Sequence, residues 1–267
     1  MELHIRLAVR TRFLPIVRGL SKTEVCYPGH QPGFFMKSKI IHGCLFAFIA
    51  VIALISYWPG LSGPLLFDDT ANLDPVRRWL EGEFSWFQVV FGNESGPLGR
   101  PISMASFLAN AYLADGTIWS LKFGNLLIHL VTGGLIYVFF QRVVLLGRDL
   151  ADGARFLPLI MTAVWLLHPI LVSTVLYVVQ RMAMLSALFT VAALIAYMHG
   201  RLRLEVGNQR SGTLFLLVFV PALTTLAALS KENGLLAPML CAVMELAYFQ
   251  PQQGRARPVA VKIFLAG

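Results

Sequence analysis

Charge is withheld from this chain in long blocks, and that constrains its fold more than any single motif. Residues 40–67 contain no Asp, Glu, Lys or Arg, and a second such block covers residues 123–141. The first nineteen residues of the earlier block make about 28 Å of helix at 1.5 Å per residue, close to the thickness of the bilayer hydrocarbon. Trp58, Pro59 and Gly60 end it with an interfacial aromatic and two helix breakers. The run exceeds the apolar region of a cleavable signal, and no small-x-small pattern follows it cleanly. Residues 156–180 give another apolar stretch, interrupted at His168-Pro169 because proline bars its predecessor from α geometry. Residues 182–200, 211–230 and 233–250 complete six spans, and a seventh begins near Val259.

The expected fold is therefore all-α: a polytopic membrane helix bundle of about six to seven spans. Composition agrees, with 57% hydrophobic residues, 13% charged residues and a mean hydropathy of +0.68, values foreign to a soluble domain of this length. The net charge of +8 does not point to nucleic acid, because the basic residues are scattered between apolar runs. Cys26, Cys44 and Cys241 show no C-x-x-C spacing and read as small hydrophobes.

Two domains are expected. Residues 1–39 carry seven Lys and Arg with no run long enough to span, and read as a basic cytoplasmic arm. Met36-Lys37-Ser38-Lys39 would make a natural bacterial start, leaving the preceding residues as an over-extended reading frame. Residues 40–267 form the transmembrane domain, which stops inside an apolar run and so reads as incomplete at its C-terminus. With the N-terminus inside, sixteen Lys and Arg fall on the inner side and six on the outer, a positive-inside bias.

That orientation makes residues 59–122 a long external loop holding seven of the fourteen acids. Asp74-Pro75 is expected to open a short helix whose Trp79, Phe84, Trp86 and Phe87 suit a membrane surface or a docked lid. Pro101 is expected to start a second interfacial helix, too short to cross, that ends before Asp115. Asp68 and Asp69 stand just beyond the first span. An aspartate at a bilayer centre costs roughly 2.5–3.5 kcal/mol, so the pair belongs outside the hydrocarbon or in a protein-lined polar cavity. Arg100, His168, Arg181, Lys231 and Glu232 fall at the same outer edge.

The order of Phe67-Asp68-Asp69, Gly99-Arg100-Pro101-Ile102-Ser103, Leu167-His168-Pro169, Val179-Gln180-Arg181 and Ser230-Lys231-Glu232-Asn233-Gly234 resembles the membrane half of the tetratricopeptide-repeat-bearing O-mannosyltransferase-like proteins, of the broader GT-C class. The resemblance covers roughly residues 40–250. It implies a multi-span glycosyltransferase that takes sugar from a polyprenyl-phosphate donor and passes it to a protein or glycan hydroxyl at the outer face of a bacterial-type inner membrane. It also implies an acid of the first external loop at the catalytic centre, with Asp68 as base.

Glycosyl transfer to a hydroxyl needs a base to take the acceptor proton, and adjacent carboxylates raise each other's pKa, so one can be tuned while the other orients. Aspartate is also a common helix cap, the structural alternative for both residues. A phosphate leaving group wants fixed positive charge, for which Arg100, Arg181 and Lys231 are candidates, each of which could instead snorkel to headgroups. His168 and Glu232 are possible supports. A histidine before proline more often bonds a nearby carbonyl, and Glu232 can simply neutralise Lys231. No metal ligand set, cofactor or nucleic-acid partner is expected. Two other functions compete: a transporter or flippase, which would place ionisable groups near the midplane on broken helices, and a non-catalytic membrane anchor that docks an assembly through the outer loop.

Overall fold

The computed structural model describes residues 32–94, 96–146 and 152–249, with side chains from residue 40 onward in the first segment and from residue 154 onward in the last. The expected basic arm lies almost wholly outside them, as does the expected span near Val259. The chain divides into two compact units, Met1–Gly43 and Cys44–Gly267. The second unit contains the bundle and its outer segment.

Every regular element among the described residues is helical. Helix α1, Pro32–Tyr57, tightens into a 3-10 turn at Trp58–Ser62, where Pro59 lacks the donor that a continuing α-helix would need. The outer segment then holds three short helices: α2, Asp69–Leu80; α3, Trp86–Phe91; and α4, Pro101–Ala114. Helix α2 begins at Asp69 rather than at Pro75, which lies inside it. Helix α3 is opened by a capping box in which Ser85 and Gln88 bond each other's backbone N–H groups. Its Val89 and Val90 are buried while Trp86, Phe87 and Phe91 are exposed. Helix α4 covers the stretch that Pro101 was expected to start.

Helix α5, Ile118–Leu146, is followed by α6, Leu157–Leu166, a turn at His168-Pro169, and α7, Leu171–Leu176. A 3-10 turn at Val178–Gln180 leads into α8, Arg181–Glu205. Helix α9, Gln209–Leu214, widens to a π-helical turn at Phe215–Phe219 just before Pro221, the residue that cannot donate to the preceding turn, and continues as α10, Val220–Ser230. A 3-10 turn at Glu232–Leu236 precedes α11, Ala237–Met244.

Among the described residues four stretches are long and apolar enough to cross a bilayer: Ile40–Ser62, Ile118–Leu146, Val178–Glu205 and Gln209–Ser230. The other two stretches expected to span are built of shorter pieces, because His168-Pro169 divides one and the turn at Glu232–Leu236 delays the other. Side-chain contacts nevertheless fix where their ends lie. Arg181 bonds the Leu121 carbonyl and the Asn125 side chain, so the start of α8 lies beside the start of α5. Residues 152–180 must therefore return along α5 from its Leu146 end, and on the way His129 Nε2 meets the Leu166 carbonyl at 3.0 Å while Leu166 packs on Gly133. Ser186 Oγ donates to the Lys231 carbonyl at 3.4 Å, which brings the end of α10 to the same end of the bundle. At the opposite end, Arg201 bonds Glu245 beyond α11.

A core cluster including Val76, Val89, Met104, Phe107, Val178 and Met182 joins the outer helices to the start of α8. The outer segment is thus packed onto the bundle, which is what gives a site there fixed geometry.

Candidate functional site

The two adjacent aspartates have opposite environments. Asp69 is fully buried. Its Oδ1 accepts from the Val179 N–H at 2.8 Å, and its Oδ2 accepts from Leu66 at 2.9 Å and Val178 at 3.4 Å. The carboxylate thereby caps the 3-10 turn that feeds α8, a capping role played across the fold rather than on its own helix. Asp68 is exposed at the N-terminal edge of α2, where its carboxylate and its carbonyl both accept from Asn72 Nδ2, at 3.2 and 3.0 Å. Before it, Phe67 has φ of 47° and is 91% exposed, an uncommon backbone state for an aromatic residue. Its ring meets Tyr177 edge-on at 5.7 Å.

Arg100 is a second residue in the left-handed region, with φ of 52°, immediately before Pro101. Proline disfavours ordinary helical geometry for its predecessor, and the guanidinium is fixed by two bonds of 3.2 Å to the Glu232 carboxylate and a 3.4 Å contact with Met182 Sδ. Gly96 lies against this ion pair so closely that a Cβ there would overlap the Glu232 carboxylate. Partial burial alone pushes the Glu232 carboxyl up, but its own backbone N–H, Arg100 and Lys231 together outweigh that and hold it below the ordinary value. Lys231 is half-buried and extended at the end of α10, between Ser230, whose carbonyl accepts from Ser103 Oγ at 2.9 Å, and Glu232.

Arg181 is 2% exposed, and its donors are spent inside the protein. Nε donates to Asn125 Oδ1 at 2.8 Å, Nη1 to the Ser106 carbonyl at 3.2 Å, and Nη2 to Asn110 Oδ1 and the Leu121 carbonyl at 2.8 and 2.6 Å. The guanidinium also lies over the Phe107 ring at 4.6 Å. It knits α4, α5 and α8 together. His168 is exposed, and its Nδ1 accepts from the Ile170 N–H at 3.2 Å, closing the turn around Pro169.

Four of the five motifs expected at the outer edge are linked by direct contacts. Phe67 and Asp69 touch Tyr177, Val178 and Val179; Arg181 and Met182 follow in sequence; Met182 touches Arg100; and Arg100 is paired with Glu232 beside Lys231. Three residues that sequence reasoning left out hold this arrangement. Lys122, 2% exposed, donates from Nζ to the carbonyls of Gly63 and Pro64 at 2.9 Å each. Asn125 Nδ2 reaches the carbonyls of Val175, Tyr177 and Val178, at 3.2 Å in each case, while its Oδ1 takes Arg181. Asn110 takes the other side of the guanidinium. A carboxamide inside a charge-free apolar run was the available signal, since a polar group there must find a protein partner.

An apolar groove of about 640 Å³ opens beside this polar cluster, lined by Trp79, Trp86, Pro101, Ile102, Tyr112 and Leu229 among others. Its lining includes Pro101, next in sequence to Arg100, and Leu229, two positions before Lys231, and holds no charged side chain. Among the described residues no three His, Cys, Asp or Glu side chains converge as a metal site would require.

No family model and no solved structure matches the chain. Among curated proteins, it is 26% identical over 207 residues to "Protein O-mannosyl-transferase TMTC3" of mouse and to the human protein of that name, covering 74% of this chain and 21% of theirs. It is 25% identical over 196 residues to "Protein O-mannosyl-transferase F38B6.6" of Caenorhabditis elegans, covering 69% of this chain and 25% of that one. These likenesses agree. The chain is distantly similar to protein O-mannosyl-transferases. It spans about a fifth to a quarter of the length of those relatives, and four helices among the described residues are long and apolar enough to cross a membrane.

Proposed function

We propose that this chain acts as a membrane glycosyltransferase of the GT-C kind, moving a sugar from a polyprenyl-phosphate donor to a protein or glycan hydroxyl at the outer face of a bacterial-type inner membrane. The observation that carries the reading is the division of the aspartate pair: Asp69 is locked into the fold, while Asp68 is left exposed at the tip of a strained loop. That loop belongs to the bundle end that also holds Arg100, Lys231 and Glu232. Backbone outliers of this sort gather at functional sites because the surrounding structure must hold them.

In this reading Asp68 accepts the proton of the acceptor hydroxyl. The hydroxyl oxygen forms the new bond to the anomeric carbon as the old carbon–oxygen bond to phosphate breaks, and that electron pair leaves with the phosphate. Lys231, with Arg100 beside it, stabilises the departing charge, and Glu232 keeps the Arg100 fork in place. The apolar groove takes the polyprenyl chain. Asp69 and Arg181, both enclosed, serve the site from within rather than by touching substrate, and His168 shapes the turn next to α7. Residues 40–267 make up the transmembrane catalytic domain, with residues 59–122 as its outer loop. Six segments cross, the two composed of short helices included, and the N-terminus is cytoplasmic. The sixteen-to-six distribution of Lys and Arg supports that orientation.

The deciding experiment replaces each acid in the full chain and measures glycan addition in membranes against the amount of folded protein. Asp68→Asn is expected to abolish transfer with normal yield, and Asp69→Asn to lower yield and thermal stability together. Full transfer by folded Asp68→Asn protein would end the proposal.

A further inference from the structure

Lys122 has no place in the chemistry just described, yet it is buried at the mouth of that site. Its ammonium grips two successive peptides, through the carbonyls of Gly63 and Pro64, and so fixes the chain as it leaves the first span. Asp69 grips the other flank of the same loop through the Leu66 N–H, and ties it to the bundle through Val178 and Val179. Between Pro64 and Asp69 only four residues, 65–68, remain, and Phe67 within them takes the left-handed backbone state. Asp68 therefore stands on a segment clamped on both sides by oppositely charged, buried side chains. A surface loop that needed only to connect α1 to α2 would not require a buried ammonium, which is expensive to remove from water.

We propose that Lys122 is a positioning residue: with Asp69 it forms a two-sided clamp that holds Phe67 and Asp68 at the site, and so sets where the Asp68 carboxylate meets the acceptor. The inference rests on the reading of Asp68 as the base, and the clamp itself is testable without that reading. Phe67→Cys, at a side chain almost wholly exposed, accepts a nitroxide spin label whose mobility reports the order of the loop; Tyr112→Cys, exposed on α4, is the control.

Lys122→Met, and the milder Lys122→Gln should the first not fold, are expected to raise label mobility at position 67 and leave position 112 unchanged, as is Asp69→Asn. In unlabelled protein the same Lys122 variants are expected to lower kcat by roughly tenfold to a hundredfold, the penalty for misplacing a catalytic group, with the donor KM within about twofold. A merely structural role would instead change yield and leave kcat per folded molecule intact. Unchanged mobility at position 67 in a folded Lys122 variant overturns the clamp. Increased mobility with unchanged kcat, while Asp68→Asn is inactive, overturns the positioning role alone. An active Asp68→Asn protein removes the function read for this site and leaves the mobility result to judge the clamp.

Discussion

Adjacent residues of one type can be driven to different tasks by where the chain next finds donors. Asp68 and Asp69 were legible as a pair because acids directly after a charge-free run need a reason to be there. Which of them is enclosed was not legible, because the donors that enclose Asp69 come from Val178 and Val179, more than a hundred residues away. Arg181 shows the same limit: its place at the end of a span suggested phosphate, and its four acceptors belong to segments that only folding brings to it. Arg181→Lys is therefore expected to destabilise strongly, since a lysine cannot reproduce the fork and each buried acceptor left unpaired costs about 1–3 kcal/mol. Thermal unfolding of the detergent-solubilised protein measures it. For Glu232 the sign follows from its lowered pKa. The unfolded chain takes up the proton first as pH falls, so the Arg100–Glu232 pair contributes fully above the ordinary glutamate value and its contribution disappears as pH drops through the depressed one. Unfolding scans from about pH 6 to about pH 3 should show Glu232→Gln with a shallower loss of stability than the parent protein.

Proline marks one border of a short helix between the first two spans and lies inside another. Helix α4 occupies the stretch between Arg100 and Asp115 because Pro101 suits a first turn and residues 100 and 115 both take left-handed geometry at its borders. Helix α2 starts six residues before Pro75, since docking of Asp69 onto the turn at Val178–Gln180 fixes the first turn there, and local proline preference yields to it. Close approach between elements depends on glycines whose role no spacing reveals. A Cβ on Gly234 would collide with the backbone of Ala227 and Ala228, which cannot move as a side-chain tip can. Gly234→Ala should therefore displace the turn at Glu232–Leu236 from α10 and lower stability by about 1–3 kcal/mol, as overpacking does. Gly96→Ala should act at the site as well: it pries Arg100 from Glu232, so donor KM rises and the pair's contribution to the unfolding temperature is lost with it.

At the scale of the molecule, the contacts at the two ends of the bundle predict a simple accessibility pattern. Cysteines placed at Phe67 and at Asn233, both exposed, should react with an impermeant thiol reagent from one side of sealed vesicles, and one at Gln209, the exposed first residue of α9, only from the other. Reaction of all three from the same side would contradict six crossings. The sequence alone determined that this chain forms helices long and apolar enough for a bilayer and that the aspartate pair and the cations singled out stand at the ends of apolar runs, because both follow from where charge is withheld and where it returns along the chain. Tertiary structure alone decided which acid stays in water, which cations are consumed as struts and which polar side chains hold the loop, because each depends on donors and acceptors from distant segments meeting at hydrogen-bond range.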